Sequence, residues 1–289
     1  MTRTFLAIGL STLALLPNLS FAKNNLQHQI EYGVINFDSG FTIPELEDYP
    51  ALINYTYYFD AIKAKSKPYE LASHNERISW IKTNIAYDLG GIPNVSGRYY
   101  LKNGYDVKYQ IFYQTDSISG SPQEQTSTAF MVNFPQQGKW QYGVGMRNTF
   151  TEEAKYRRSD SGFFEYDESD VDIDTFIRFQ AVYSDIKNNK GWHVTSQFGH
   201  DLETKLNVAR FVGDYYSAAN KSTSLLLSYY EETYRFENRS WLSLGVSQKH
   251  WFSPTKAIDY GISYSVENDE GGGSNADIIL FDLNGTWRF

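Results

Sequence analysis

Read backwards in steps of two from its last residue, the chain gives Phe289, Trp287, Gly285, Leu283, Phe281 and Ile279. The interleaved positions are Arg288, Thr286, Asn284, Asp282 and Leu280. Successive side chains of a strand point to opposite faces, so this stretch predicts a strand with one apolar, aromatic face and one mostly polar face. A soluble strand alternates in the same way but rarely places its aromatic at the carboxylate end.

The same period of two recurs along the chain, and no 3.6-residue apolar stripe competes with it. In 257–267 the apolar set is Ile258, Tyr260, Ile262, Tyr264 and Val266; in 105–115 it is Tyr105, Val107, Tyr109, Ile111 and Tyr113. Segment 138–149 offers Trp140, Tyr142, Val144 and Met146, and 172–183 offers Ile173, Ile177, Phe179 and Tyr183. Runs of 10–12 residues have the length of a tilted strand crossing a bilayer. About fourteen such segments are counted: 27–37, 50–60, 77–88, 95–102, 105–115, 125–134, 138–149, 172–183, 191–200, 204–214, 221–231, 239–250, 257–267 and 276–289. Segment 204–214 is the weakest, because Arg210 shares a face with Leu206, Val208 and Val212. Twelve strands is the other even count this rhythm allows. The expected fold is all-β: a transmembrane, antiparallel, up-and-down β-barrel.

The connections supply an independent check. Short joints at Asn103-Gly104, Pro135 to Gln137 and Ser253 to Thr255 are expected at one end of the barrel. The longer, acidic joints 38–49, 116–124, 150–171 and 268–275 are expected at the other. Two joints break the parity: the short one at Asp201 to Glu203 and the long inner one at 61–76.

Residues 1–22 read as a secretory signal peptide, with Arg3, an apolar run from Phe5 to Leu16 and a small-residue site at Ser20 to Ala22. Residues 23–289 then form a single domain. The chain has no cysteine, hence no disulfide. Tyr, Phe and Trp number 23, 19 and 6, an enrichment that suits aromatic girdles at two membrane interfaces. With a net charge of −8 and no basic cluster, nucleic acid is not an expected partner.

The last strand resembles the closing strand of Gram-negative outer-membrane β-barrels; that resemblance implies that Phe289, with Trp287, is an assembly signal read by the barrel assembly machinery. A second stretch runs Tyr55, Thr56, Tyr57, Tyr58, Phe59, Asp60, then Lys67 to Ser73, then Asn75 to Ser79. It resembles an early segment of the uncharacterised porin family of Gram-negative bacteria, with Asp60-Ala61-Ile62 departing from that family's usual strand end. The resemblance implies the bacterial outer membrane, contact with membrane lipid and lipopolysaccharide, and a porin-like channel.

The polar faces carry Glu31, Lys82, Asp88, Arg98, Lys102, Asp106, Lys108, Arg147, Asp174, Arg178, Asp259, Asp282 and Arg288, all expected to line the lumen. A dry core could hold so many charges only in tight pairs, whereas a wet one tolerates them. Fourteen strands at ~4.8 Å spacing and ~40° tilt enclose a backbone radius of roughly 14 Å, on the open side of the barrel series.

Catalytic chemistry is harder to find. Ser73-His74-Asn75 reverses the order of a lipase-type His-Ser pair and reads as a polar connector. His200 and Asp201 are neighbours on one strand, point to opposite faces, and read as a solvated rim. Loop 267–275 offers oxygen ligands without a calcium-loop spacing, and loop 150–171 is expected either to fold inward or to form an outer lid. The expected function is passive diffusion of small hydrophilic solutes or ions, with no catalysis, no metal and no cofactor. The alternatives are a barrel enzyme of lipase or protease type and a plugged structural or adhesion barrel.

Overall fold

The computed structural model describes residues 26–33, 52–63, 68–86, 93–116, 123–158, 164–201, 206–234, 237–269 and 277–289. They form fourteen strands: β1 (Leu26–Gly33), β2 (Leu52–Ile62), β3 (Trp80–Ala86), β4 (Pro93–Tyr100), β5 (Asp106–Asp116), β6 (Gln123–Asn133), β7 (Trp140–Arg158), β8 (Phe164–Lys187), β9 (Lys190–Asp201), β10 (Asn207–Ala218), β11 (Lys221–Tyr234), β12 (Glu237–Ser253), β13 (Lys256–Asp269) and β14 (Asp277–Arg288). Each pairs antiparallel with the next, and β14 returns to β1, so the sheet closes and has no edge. The alternation fixes which face points out. Ile53, Ile111, Phe130, Phe179, Phe198, Leu244 and Phe281 are exposed, whereas Gln110, Arg147, Gln180, Gln197 and Asp282, on the opposite face, are buried. A continuous apolar outer band of this size is a surface for lipid.

Leu26 and Phe289 lie at the same end, here the terminal end. The seam there is drawn shut by the last residue. The Phe289 carbonyl accepts from the amides of Gln27 (3.1 Å) and His28 (2.9 Å), and its ring stacks on His28 with centroids 5.3 Å apart. Turns at this end are tight. Asn188 and Asn189 both hold positive φ (52° and 64°), the two-residue form whose twist matches paired strands. Gly104, at φ 93°, closes the β4–β5 turn. Trp140 with Tyr183 (4.9 Å) and Trp192 with Tyr215 (5.0 Å) form part of an aromatic ring around this rim.

Three regions depart from the sequence reading. β7 and β8 run 19 and 24 residues and pair as far as Arg158 with Phe164, so most of 150–171 is a strand hairpin rather than a loop. A backbone ladder continues with or without an apolar face, so this hairpin outruns the alternating pattern that marks a membrane strand. In β10 the inner face carries Val208, Arg210 and Val212 together, while Phe211 and Tyr215 point outward; the apparent conflict of phase is two valines flanking a buried arginine on the inner wall. The joint after β2 is no simple turn. Residues 68–79, with a short helix α1 (Ala72–Asn75), fold into the mouth of the barrel. Ala72 and Ile78 pack there with Leu26, Tyr58 and Ile62, Trp80 lying against them.

Candidate permeation path and its plug

The inner wall is polar and cross-braced. Asp106, with no exposed surface, accepts Arg98 Nε (2.8 Å) and Nη2 (2.9 Å), Asn133 Nδ2 (2.7 Å) and Gln141 Nε2 (2.9 Å). Gln180 donates to Asn133 Oδ1 (3.1 Å) and accepts from Lys108 Nζ (3.2 Å) and Gln197 Nε2 (3.1 Å). One belt of side chains therefore crosses β4 to β9. A second belt runs over the seam. Lys82 pairs with Glu31 (3.1 Å), Gln29 donates to Glu31 (2.7 Å), and Tyr58 and Arg288 both donate to Gln29 Oε1 (3.0 and 2.6 Å).

The segment 68–79 bridges these belts. At one side Tyr69 N donates to Ala219 O (3.0 Å), and Tyr69 O accepts from Arg288 Nη1 (2.6 Å). Glu70 accepts from Ser222 Oγ (2.7 Å) and pairs with Lys249 (3.4 Å). Trp251 packs beneath, its ring edge-on to Tyr69 and face-on to the Arg288 guanidinium (4.2 Å). At the other side His74 Nδ1 meets Arg98 Nη1 (3.1 Å) and Tyr100 Oη (3.0 Å), and Arg77 Nη2 donates to Tyr105 O (3.1 Å). Arginine is only a donor, so His74 Nδ1 is an acceptor and the ring is neutral. Burial, with the Arg98 charge beside it, holds the His74 pKa well below the ordinary histidine value. A cavity of about 680 Å³ remains beside α1, lined by His74, Asn75, Tyr100, Gln141, Ser184 and Asn189 among others.

The crystal structure of the Acinetobacter baumannii outer membrane protein Omp33 is similar over 93% of this chain and 100% of its own, at a TM-score of 0.50 and 12% identity. A loop L8 deletion mutant of OmpT, an outer membrane protein of Vibrio cholerae, aligns with 91% of this chain and 97% of its own, at a TM-score of 0.45 and 11% identity. The fold is that of an outer-membrane β-barrel. No protein-family model and no curated protein sequence matches the chain.

Within this outer-membrane barrel, Lys82, Arg98, Asp106, Lys108, Arg147, Asp174, Arg178, Asp259, Asp282 and Arg288 all lie on the inner face of their strands. Lys102 does not; it is exposed in the β4–β5 turn, two residues beyond the end of β4. Asp88 lies outside the described residues, as do residues 270–276 of the acidic loop and the signal-peptide segment. The expectation that inner charges stand in water needs correction. Arg98 with Asp106, Lys82 with Glu31, and Lys249 with Glu70 are paired and largely buried, so their charges are spent locally. Asp201 is also no solvated rim residue: it is 1% exposed on the inner face, while His200 is exposed outside and bonds Asn207 (2.9 Å). His74 is a plug anchor rather than a connector. Gln29, Glu70, Phe176, Lys249 and Trp251 were not singled out by pattern. The one signal for Glu70 was the length of joint 61–76, too long for a tight turn. Among the described residues, no His, Cys, Asp and Glu group is arranged to hold a metal ion.

Proposed function

We propose that the protein is a channel of the bacterial outer membrane for passive diffusion of small hydrophilic solutes or ions, in the manner of a porin. The observation that carries this reading is the pairing of an apolar outer band with a polar, charge-lined inner wall in a closed fourteen-stranded barrel. The terminal end faces the periplasm, as in barrels with short turns at the end that holds both termini. There 68–79 narrows the mouth, with a cavity beside α1. Lipid and lipopolysaccharide surround the outer face. The barrel assembly machinery reads the C-terminal strand through Trp287 and Phe289, and membership of the uncharacterised porin family fits the sequence of 55–79. No catalysis is assigned.

Planar-bilayer conductance of the folded protein tests the reading. Discrete ohmic steps are expected. Silent bilayers from protein that is demonstrably folded would overturn it in favour of a plugged structural barrel. Replacing Arg147 and Arg178 with Glu should shift the reversal potential in a salt gradient toward cations; an unchanged potential would remove both side chains from the permeation path.

A further inference from the structure

Non-glycine residues rarely hold positive φ, and such strain gathers where a site needs a side chain in that place. Three of the described residues do so: Arg77 (54°), Asn188 (52°) and Asn189 (64°). All three line one cavity, the space of about 680 Å³ beside α1. They come from two elements far apart in the chain. Arg77 follows α1, where its amide donates to His74 O (3.1 Å) and that of Ile78 to Ser73 O (2.8 Å), the left-handed ending that glycine makes most easily. Asn188 and Asn189 form the β8–β9 turn, whose second place is also a glycine place. At Arg77 and Asn189 the chain therefore keeps a polar side chain where glycine would hold the backbone with less strain.

The lining is polar and almost uncharged. Asn75, Gln136, Asn188 and Asn189 supply amides, Ser184 a hydroxyl, and among the described residues no carboxylate lines the cavity. Arg77 uses one donor, Nη2, on Tyr105 O (3.1 Å) and lies 4.9 Å over the Tyr100 ring, so most of its fork stays open. His74 accepts at Nδ1, which puts its proton on Nε2, a donor with no hydrogen-bond partner among the described residues. The Arg98 charge nearby is held by Asp106. Donors and acceptors thus mix in a space inside the ~300–1,000 Å³ range of small-molecule sites.

Resting on the channel reading, we propose that this cavity is a binding step for neutral saccharides of one or two rings at the periplasmic mouth. An amide presents a donor and an acceptor side by side, the pattern that neighbouring sugar hydroxyls take up, and the Arg77 fork grips two such oxygens. An amine finds no carboxylate in this lining. An acid finds only Arg77, whose attraction in an open, salt-filled mouth is screened within about 8 Å.

The test is saturation-transfer NMR with maltose on the full chain folded in lauryldimethylamine oxide, folding being checked by heat-modifiable gel mobility. Saturable transfer to the sugar ring protons is expected. It should weaken about 5-fold or more in Asn189→Gly and in Arg77→Gly, which lose the side chain and keep the backbone, and stay unchanged in the exposed neighbour Lys187→Gln. If a glycine variant does not fold, Asn189→Asp tolerates the same φ, loses the amide donors, and should still bind more weakly. Transfer that is absent, or equal in native and folded variant chains, overturns the site. Glucuronate or glucosamine displacing maltose at a tenth of the concentration that glucose needs would overturn the neutral class. Conductance is measured on the same sample. Ohmic steps without binding sink this inference and leave the channel standing, whereas binding to a folded barrel that is silent in bilayers keeps the site and sinks the channel.

Discussion

If 68–79 narrows the channel, weakening its hold on the wall should open it. Glu70 is the anchor to test. Its carboxylate accepts the Ser222 hydroxyl at 2.7 Å and faces the Lys249 ammonium at 3.4 Å, with Glu70 and Lys249 side chains 21% and 9% exposed. A hydrogen bond to a charged acceptor contributes about 1.5–3 kcal/mol, and a partly screened ion pair adds at most ~1 kcal/mol. Part of this is recovered when Glu70 becomes Ala, because Lys249 keeps the Trp251 ring at 5.9 Å. A net loss of about 2 kcal/mol raises the ratio of displaced to seated plug roughly 30-fold. The Tyr69 bonds to Ala219 and Arg288 remain, so the segment should loosen rather than leave. Single-channel recording is the assay. Glu70→Ala should show longer dwell in its larger conductance level, and Glu70→Gln, which still accepts from Ser222, should fall between it and the native chain. A folded Glu70→Ala protein with native conductance, native dwell times and native amide protection in 68–79 would refute the idea that this segment limits flow.

Asp106→Ala removes four hydrogen bonds and leaves Arg98 buried, so the barrel should lose about 3–5 kcal/mol of stability in urea unfolding, with Asp106→Asn losing less. Gly199→Ala drives a methyl into the Phe176 ring, so an overpacking loss of ~1–3 kcal/mol in urea unfolding is expected; native stability would show that the ring yields without cost. His74 has a folded pKa well below its unfolded value near ~6.5, so its contribution is fully present above that pH and is lost as pH falls from there toward the folded value. Amide exchange in 68–79, corrected for intrinsic rates, should therefore show falling protection from pH 6.5 downward, a slope that His74→Asn abolishes.

What the sequence makes legible here is what the membrane and the pleat dictate together. Ile173, Phe179, Ile262, Tyr264 and Phe281 meet lipid because every second residue must, and the inward places of Arg147, Arg178, Asp282 and Arg288 follow from the same count. The strand number follows too, since a closed antiparallel barrel needs an even count and the rhythm supplies fourteen segments. The β7–β8 extension was illegible for a related reason: beyond the bilayer no apolar face is required, so nothing marks where pairing ends.

The inner wall obeys a different logic, and periodicity says nothing about it beyond direction. Facing inward told Asp106 and Arg178 apart in no way, yet Asp106 is sealed by Arg98, Asn133 and Gln141 while Arg178 lies over the Phe176 ring. Those partners come from strands 27 to 35 residues away from Asp106 along the chain in two cases, so they are set by register across the barrel rather than by local pattern. Glu70 is the extreme case, reaching Ser222 across 152 residues from a segment with no strand rhythm at all. A channel's wall charges therefore divide into those that brace the barrel and those able to act on a solute. The bracing set is recognised by geometry, as at Asp106, Glu31 and Glu70.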